Sequence, residues 1–258
     1  MLKDIVQKSA RVSRVQAGAV LRAVLSYVHP PVCAGCGMLT VRHQALCVDC
    51  WASLRLIERP FCEILGSPFA YDPGEGAISP EAIANPPVFD RLRSVALYEG
   101  VARQLVQDLK YRDRLDLAPM MAAWMMRAAS AEIAASDAVV SVPLHRMRLM
   151  GRMFNQSAEL ARHLARQAGK PFLPQALIRK KRTTQQVGLT ANQRLLNVRG
   201  AFAVPDETVD LVLGRRLILI DDVYTTGATV GAAVTALKRA GVADVTVLTF
   251  ARALAQPI

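Results

Sequence analysis

Leu217-Ile218-Leu219-Ile220-Asp221-Asp222-Val223-Tyr224-Thr225-Thr226-Gly227-Ala228-Thr229 is the stretch of this 258-residue chain whose reading decides the fold. Four consecutive aliphatic residues fit a parallel strand buried on both faces. Residues 228–240 then carry a helical pattern with Val230, Val234 and Leu237 on one side, so the hydroxyl-rich turn between them opens a helix. At that point the backbone N–H groups of Thr225, Thr226, Gly227, Ala228 and Thr229 and the three threonine hydroxyls are suited to surround a phosphate, aided by the positive end of the helix dipole. Asp221 and Asp222 cannot serve that phosphate. They suit the neutral diol of a ribose, or a metal ion riding on the ligand. A P-loop nucleotidase would also need G-x-x-x-x-G-K-[ST], and no lysine of the chain sits in that context. The stretch reads as a ribose-phosphate cradle.

This order of strand, acid pair and T-T-G-x-T resembles the 5-phosphoribosyl-1-diphosphate (PRPP) motif of type I phosphoribosyltransferases. The resemblance implies that Asp221 and Asp222 hold the ribose 2′- and 3′-hydroxyls, and that Thr225, Thr226, Gly227, Ala228 and Thr229 hold the 5′-phosphate. Upstream, Asp137-Ala138-Val139-Val140-Ser141-Val142-Pro143-Leu144 looks like another buried strand, and it runs directly into His145-Arg146-Met147-Arg148-Leu149-Met150-Gly151-Arg152. Ligands of open parallel sheets sit outside the carboxyl ends of the strands, where these cations would be. In type I phosphoribosyltransferases a short loop at this point holds the pyrophosphate of PRPP. Leu144, His145, Arg146, Met147 and Arg148 occupy the matching position, with Arg146 and Arg148 as diphosphate partners through charge-assisted hydrogen bonds. His145 contributes a proton or a hydrogen bond.

The net charge of +11 is unevenly placed. Residues 141–200 hold twelve Lys or Arg against a single acid, Glu159, whereas the flanking segments are near balance. Such a field concentrates polyanions, whether a diphosphate-bearing small molecule or nucleic acid, and it also serves solubility. Arg152, Arg162, Arg166, Arg179, Lys180, Lys181 and Arg182 are the candidate nucleic-acid contacts. Aromatic residues make up only 5% of the chain, so stacking platforms for bases are few and electrostatics would dominate. With 52% hydrophobic residues but no apolar run of about 18, the expectation is a cytoplasmic globular protein without a membrane span. Residues 1–30 mix cations with spaced apolar positions and lack a compact apolar core, which predicts an amphipathic helix rather than a signal peptide.

All five cysteines lie early in the chain. Cys33-Ala34-Gly35-Cys36 and Cys47-Val48-Asp49-Cys50 form two C-x-x-C knuckles, each placing two thiols on one side of a tight turn. Together they predict a closed tetrahedral shell for structural zinc, with a disulfide framework as the alternative. Cys62 stands alone, since Leu65 occupies the place where a third C-x-x-C would end, and it is expected to be a spare or buried thiol. The predicted layout is the N-terminal helix over 1–30, a zinc-ribbon module over 31–66, a Pro/Gly-rich linker over 67–88 and an α/β domain over 89–258. Within that domain the pattern places a strand near 94–100, a helix over 101–112 with Lys110 facing outward, a Met-rich helix near 117–135 and a helix through 168. Residues 179–194 read as a polar, basic loop suited to closing over a phosphorylated substrate, after which Gly200-Ala201-Phe202-Ala203-Val204 reads as a strand.

Taken together, the chain resembles the ComF family, phosphoribosyltransferase-like proteins with an N-terminal zinc ribbon. The resemblance rests on the Cys knuckles, Tyr98-Glu99-Gly100, Val142-Pro143-Leu144-His145, Gly151-Arg152-Met153-Phe154-Asn155-Gln156, Arg182-Thr183-Thr184-Gln185-Gln186, Asn197-Val198-Arg199-Gly200-Ala201-Phe202 and the acid-pair motif. It implies a type I phosphoribosyltransferase-like parallel sheet flanked by helices, structural Zn²⁺, Mg²⁺ with PRPP, and a role in natural competence and DNA uptake. Two functions are then open. One is phosphoribosyl transfer from Mg–PRPP to an acceptor that no residue identifies. The other is non-catalytic binding of single-stranded DNA, alongside a competence helicase or other DNA-processing proteins.

Overall fold

The structure, a computed structural model, describes residues 30–144, 154–181, 193 and 197–254. The expected N-terminal helix lies, but for its last residue, outside the described residues. Contacts divide the chain into two units, Met1–Ala52 and Ser53–Ile258. Residues 53–66, expected in the zinc module, and 67–88, expected as a linker, fall in the second unit.

The described part of the first unit is built from two tight turns. Residue Val32 bridges Leu39 and Cys33 bridges Ala45, and the first turn closes where the Gly37 N–H donates to Cys33 O at 3.0 Å. The second knuckle leads into α1, Val48–Ala52.

In the second unit, four parallel strands form the sheet: β1 (Arg91–Leu97), β2 (Ala138–Ser141), β5 (Arg216–Tyr224) and β6 (Asp244–Arg252), in the order β1-β6-β5-β2. The aliphatic run behaves as its composition demands. Leu217, Ile218, Leu219 and Ile220 are all at most 1% exposed. Leu217 and Leu219, with Val245 and Val247 of β6, pack in one cluster with Val230, Val234 and Leu237 of helix α7 (Ala228–Arg239). The period of two turns Phe250 to the opposite face. There Trp124 of α4 (Ala118–Ala128) stacks on it at 5.9 Å. Helix α3 (Gly100–Tyr111) follows β1, and α6 (Gln156–Ala168) lies against β2 and β5. The expected parallel sheet flanked by helices is therefore present.

Three elements depart from the sequence reading. The Met-rich segment is broken at Ala129 into α4 and α5 (Ser130–Ala135), with Met121 and Met125 fully buried in the core. Residues 200–204 contribute only β4 (Phe202–Ala203), which pairs antiparallel with β3 (Ile178–Arg179) in a separate small sheet. Strand β6, for which the sequence reading proposed no element, is central in the main sheet and buried over nearly its whole length. The short helix α2 (Pro80–Ala84) starts behind Ser79, whose Oγ accepts from the Ala82 N–H.

Candidate functional site

Asp221, Asp222 and the threonine turn stand at the carboxyl end of β5, with β2 and β6 on either side. The turn is shaped by Gly227, which has φ 74° and caps the first turn of α7, its carbonyl accepting from the Gly231 N–H at 2.7 Å. A Cβ there would lie 2.6 Å from the Tyr224 hydroxyl, so both conformation and space require glycine. Thr225 and Thr226 are exposed, Ala228 is buried, and Gly227 and Thr229 are half-buried. The Tyr224 ring is held from two sides, by Phe89 edge-on at 6.1 Å and by the Arg252 guanidinium at 5.5 Å. The turn thus rests on a fixed aromatic base.

The acid pair does not face solvent unattended. Lys110 Nζ lies 2.9 Å from Asp222 Oδ1, and Ser157 Oγ donates to Asp221 Oδ1 at 2.9 Å, an oxygen that also accepts the Asp222 N–H. Burial, reinforced by the Asp222 charge, pushes the Asp221 carboxyl up to about 7, although Lys110 and Ser157 pull the other way. Burial disfavours the Lys110 charge too, but Asp222 outweighs it and holds the ammonium above its ordinary value.

Lys110 corrects the sequence reading, which faced it outward. One helical turn past Val106, it sits at the border of the inward stripe of Ala102, Leu105, Val106 and Leu109. That spacing was the available signal. Asn155 and Gln156, quoted above only as family marks, prove with the following Ser157 to tie the site together. Asn155 Nδ2 donates to Val142 O at 3.0 Å, Gln156 Nε2 donates to Lys110 O at 3.4 Å, and Ser157 holds Asp221. The start of α6 therefore links the ends of β2, α3 and β5.

Of the remaining candidates, Leu144 is half-buried just beyond β2, where the Val142 N–H donates to Ile220 O. His145, Arg146, Met147, Arg148, Arg152 and Arg182 lie outside the described residues. Arg162 and Arg166 are exposed on α6, Arg162 paired with Glu159 at 3.2 Å. On the small sheet, Arg179 lies over the Phe202 ring at 5.2 Å, Lys180 is exposed, and Lys181 Nζ donates to Arg199 O.

The sulfurs of Cys33, Cys36, Cys47 and Cys50 all lie within 4.8 Å of one another, with Cys36 and Cys47 at 3.6 Å. A tetrahedral zinc with Zn–S bonds of about 2.3 Å needs sulfur separations of about 3.8 Å, so the donor set and its spacing fit. Burial would raise the Cys33 thiol, yet N–H groups of Cys36, Cys47 and Gly35 outweigh it and lower it to about 6. Burial and the neighbouring sulfurs instead push Cys50 up. Four thiols this close are mutually unfavourable as anions without a cation among them.

One prediction follows from Asp221. Its folded value of about 7 exceeds the ordinary 3.8, so the folded chain keeps a proton that the unfolded chain releases. The associated stability is full below about pH 4 and is lost as pH rises to about 7. Urea midpoints measured across that window should show Asp221→Asn gaining stability relative to the parent chain as pH rises. Equal slopes for the two proteins would contradict the assignment.

A helix-flanked parallel sheet, with an acid pair and threonine turn at its carboxyl end and a four-cysteine knuckle earlier in the chain, defines a zinc-ribbon protein with a phosphoribosyltransferase-type domain. Comparison with known proteins agrees. A phosphoribosyl transferase domain model matches residues 155–257, and a double zinc ribbon domain model matches residues 24–82. The DNA utilization protein YhgH of Salmonella typhimurium is 31% identical over 231 residues, 87% of this chain and 98% of that protein. Competence protein F of Haemophilus influenzae is 27% identical over 227 residues, 86% of this chain and 96% of that protein. Among solved structures, an allosteric regulatory enzyme of purine biosynthesis is similar at a TM-score of 0.38 and 21% identity, over 56% of this chain and 30% of that one. The chain belongs to the ComF family of competence and DNA-utilization proteins. Among the described residues, no helix is long and apolar enough to cross a membrane.

Proposed function

We propose that this chain binds Mg–PRPP at the end of β5 and transfers its phosphoribosyl group to an acceptor. The observation that carries this reading is the acid pair at the carboxyl end of β5, held by Lys110 and Ser157 and followed at once by an open, glycine-shaped helix start. Asp221 and Asp222 accept hydrogen bonds from the ribose 2′- and 3′-hydroxyls, and the amides and hydroxyls of Thr225 to Thr229 take the 5′-phosphate. Mg²⁺ bound with the diphosphate would supply charge stabilisation to the leaving group. In transfer, the C1–O bond breaks, pyrophosphate departs with the bonding electrons, its charge offset by Arg146 and Arg148, and the acceptor's lone pair forms the new bond at C1 as its proton is released. Lys110 holds Asp222 in place through its ion pair.

The test is calorimetric titration of the full chain with Mg–PRPP, followed by an assay of pyrophosphate release from labelled PRPP in the presence of single-stranded DNA and nucleobases. Micromolar binding that Asp221→Asn abolishes supports the site, and a labelled product supports transfer. Absence of PRPP binding by the intact chain would overturn it.

A second reading is favoured by the names of the relatives and by the exposed cations Arg162, Arg166, Lys180 and Lys181. In it the basic segment binds single-stranded DNA while the cradle takes a regulatory nucleotide or PRPP, in company with competence DNA-processing proteins. Affinity for DNA that falls steeply between two salt concentrations and survives Asp221→Asn would mark this function as separate.

A further inference from the structure

We propose that residues 60–84 are a second zinc-ribbon half that has kept its backbone and lost its metal, so that this chain carries one zinc where a double ribbon would carry two. The evidence is a residue-by-residue correspondence with the first ribbon. Around Cys33, the Cys33 N–H donates to Met38 O, the Gly37 N–H to Cys33 O and the Thr40 N–H to Pro31 O, while Val32 bridges Leu39. Around Cys62, the Cys62 N–H donates to Ser67 O, the Gly66 N–H to Cys62 O and the Phe69 N–H to Pro60 O, while Phe61 bridges Pro68. Every offset is the same. Both turns also carry a glycine at positive φ, Gly37 and Gly66.

Sulfur geometry corresponds as well. Cys33 Sγ accepts N–H groups from Gly35 and from Cys47, which opens the second knuckle, and Cys50 N–H points to Cys47 Sγ. Cys62 Sγ accepts from Leu65 and from Ser79, and Ala82 N–H points to Ser79 Oγ. A short helix begins immediately after Cys47 and immediately after Ser79. Cys62, Leu65, Ser79 and Ala82 thus stand where Cys33, Cys36, Cys47 and Cys50 stand in the first ribbon.

The donor set does not fit zinc. Leu65 and Ala82 offer no lone pair, and a single thiol with one hydroxyl cannot complete a tetrahedral shell. Cys62, Leu65 and Ala82 instead join the apolar cluster that runs under the sheet. Other contacts hold what the metal would have held. The Leu92 N–H donates to Ile64 O at 2.8 Å, Arg93 reaches both the Glu63 carbonyl and its carboxylate, and Arg252 donates to Leu65 O. Gly66 approaches β1 so closely that a Cβ would collide with the Leu92 carbonyl oxygen. The knuckle is fixed by the sheet edge rather than by an ion.

Zinc content of the full-length protein, measured by plasma mass spectrometry against protein from amino-acid analysis, should be one per chain, unchanged by Cys62→Ser and abolished by Cys36→Ser/Cys47→Ser. Two zincs in the parent chain, or loss of zinc on Cys62→Ser, would overturn the proposal. The constructive arm restores the missing ligands: Leu65→Cys/Ser79→Cys/Ala82→Cys should raise cobalt(II) uptake from one to two per chain, with a doubled thiolate charge-transfer band. A folded triple variant, by near-ultraviolet circular dichroism, that still binds one cobalt would show that the segment is no ribbon. Should the triple variant not fold, the stoichiometry of the parent chain and of Cys62→Ser decides by itself.

Discussion

Asp222→Asn is expected to lower the stability of the ligand-free chain by about 3–5 kcal/mol, because it leaves the half-buried Lys110 ammonium without its partner. Asp222 is 7% exposed and its Oδ1 lies 2.9 Å from Lys110 Nζ, so no water shell replaces the lost carboxylate easily. The same substitution is expected to weaken Mg–PRPP binding by roughly 10- to 100-fold, the loss that follows from removing one charged hydrogen-bond acceptor. These two effects separate in a double-mutant cycle. Lys110→Met/Asp222→Asn removes the orphaned charge and should recover most of the stability, while PRPP binding stays weak. Urea denaturation and calorimetry on the three variants measure both quantities. Full recovery of binding in the double variant would mean that Asp222 serves the ion pair and not the ligand.

Zinc removal carries the other large expected effect. Structural zinc couples metal binding to folding with apparent free energies of about 10–16 kcal/mol at neutral pH. Among the described residues, 30–52 bury little apolar side chain, since Met38, Leu39, Val41 and Val48 are exposed by 63%, 72%, 96% and 82%. A strong chelator should therefore erase hydrogen-exchange protection around Cys33 to Cys50. Protection in β5, β6 and α7 should persist, because that unit has its own apolar core. Collapse of both regions at one chelator concentration would show that the second unit also depends on the metal.

The elements that could be read without a structure are those encoded by neighbours. The run from Leu217 to Ile220 announces a doubly buried strand, Asp221 and Asp222 close its aliphatic part, and Gly227 marks the turn, all within thirteen consecutive residues. The C-x-x-C spacings are local for the same reason. The Pro60-Phe61-Cys62 to Gly66 repeat of Pro31-Val32-Cys33 to Gly37 was also present in the sequence, but replacement of three ligands hid it, because knuckles are recognised by their cysteines rather than by their turns. Strand β6 escaped notice because threonines and an alanine interrupt its aliphatic residues, and only its position between β1 and β5 shows that both faces are covered.

By itself, the sequence determined the parallel sheet, the acid pair and threonine turn at the end of β5 and the four-sulfur knuckle, since each depends on periodicity or on ligand spacing within a short segment. Only the tertiary structure decided what surrounds them. Lys110 meets Asp222, Ser157 meets Asp221, and Arg252 reaches from the end of β6 to the carbonyl of Leu65 because crossover connections bring distant segments to one end of the sheet. The raised Asp221 carboxyl follows from that assembly, as burial and the neighbouring charges of Asp222 and Lys110 act through space and leave no mark on local pattern.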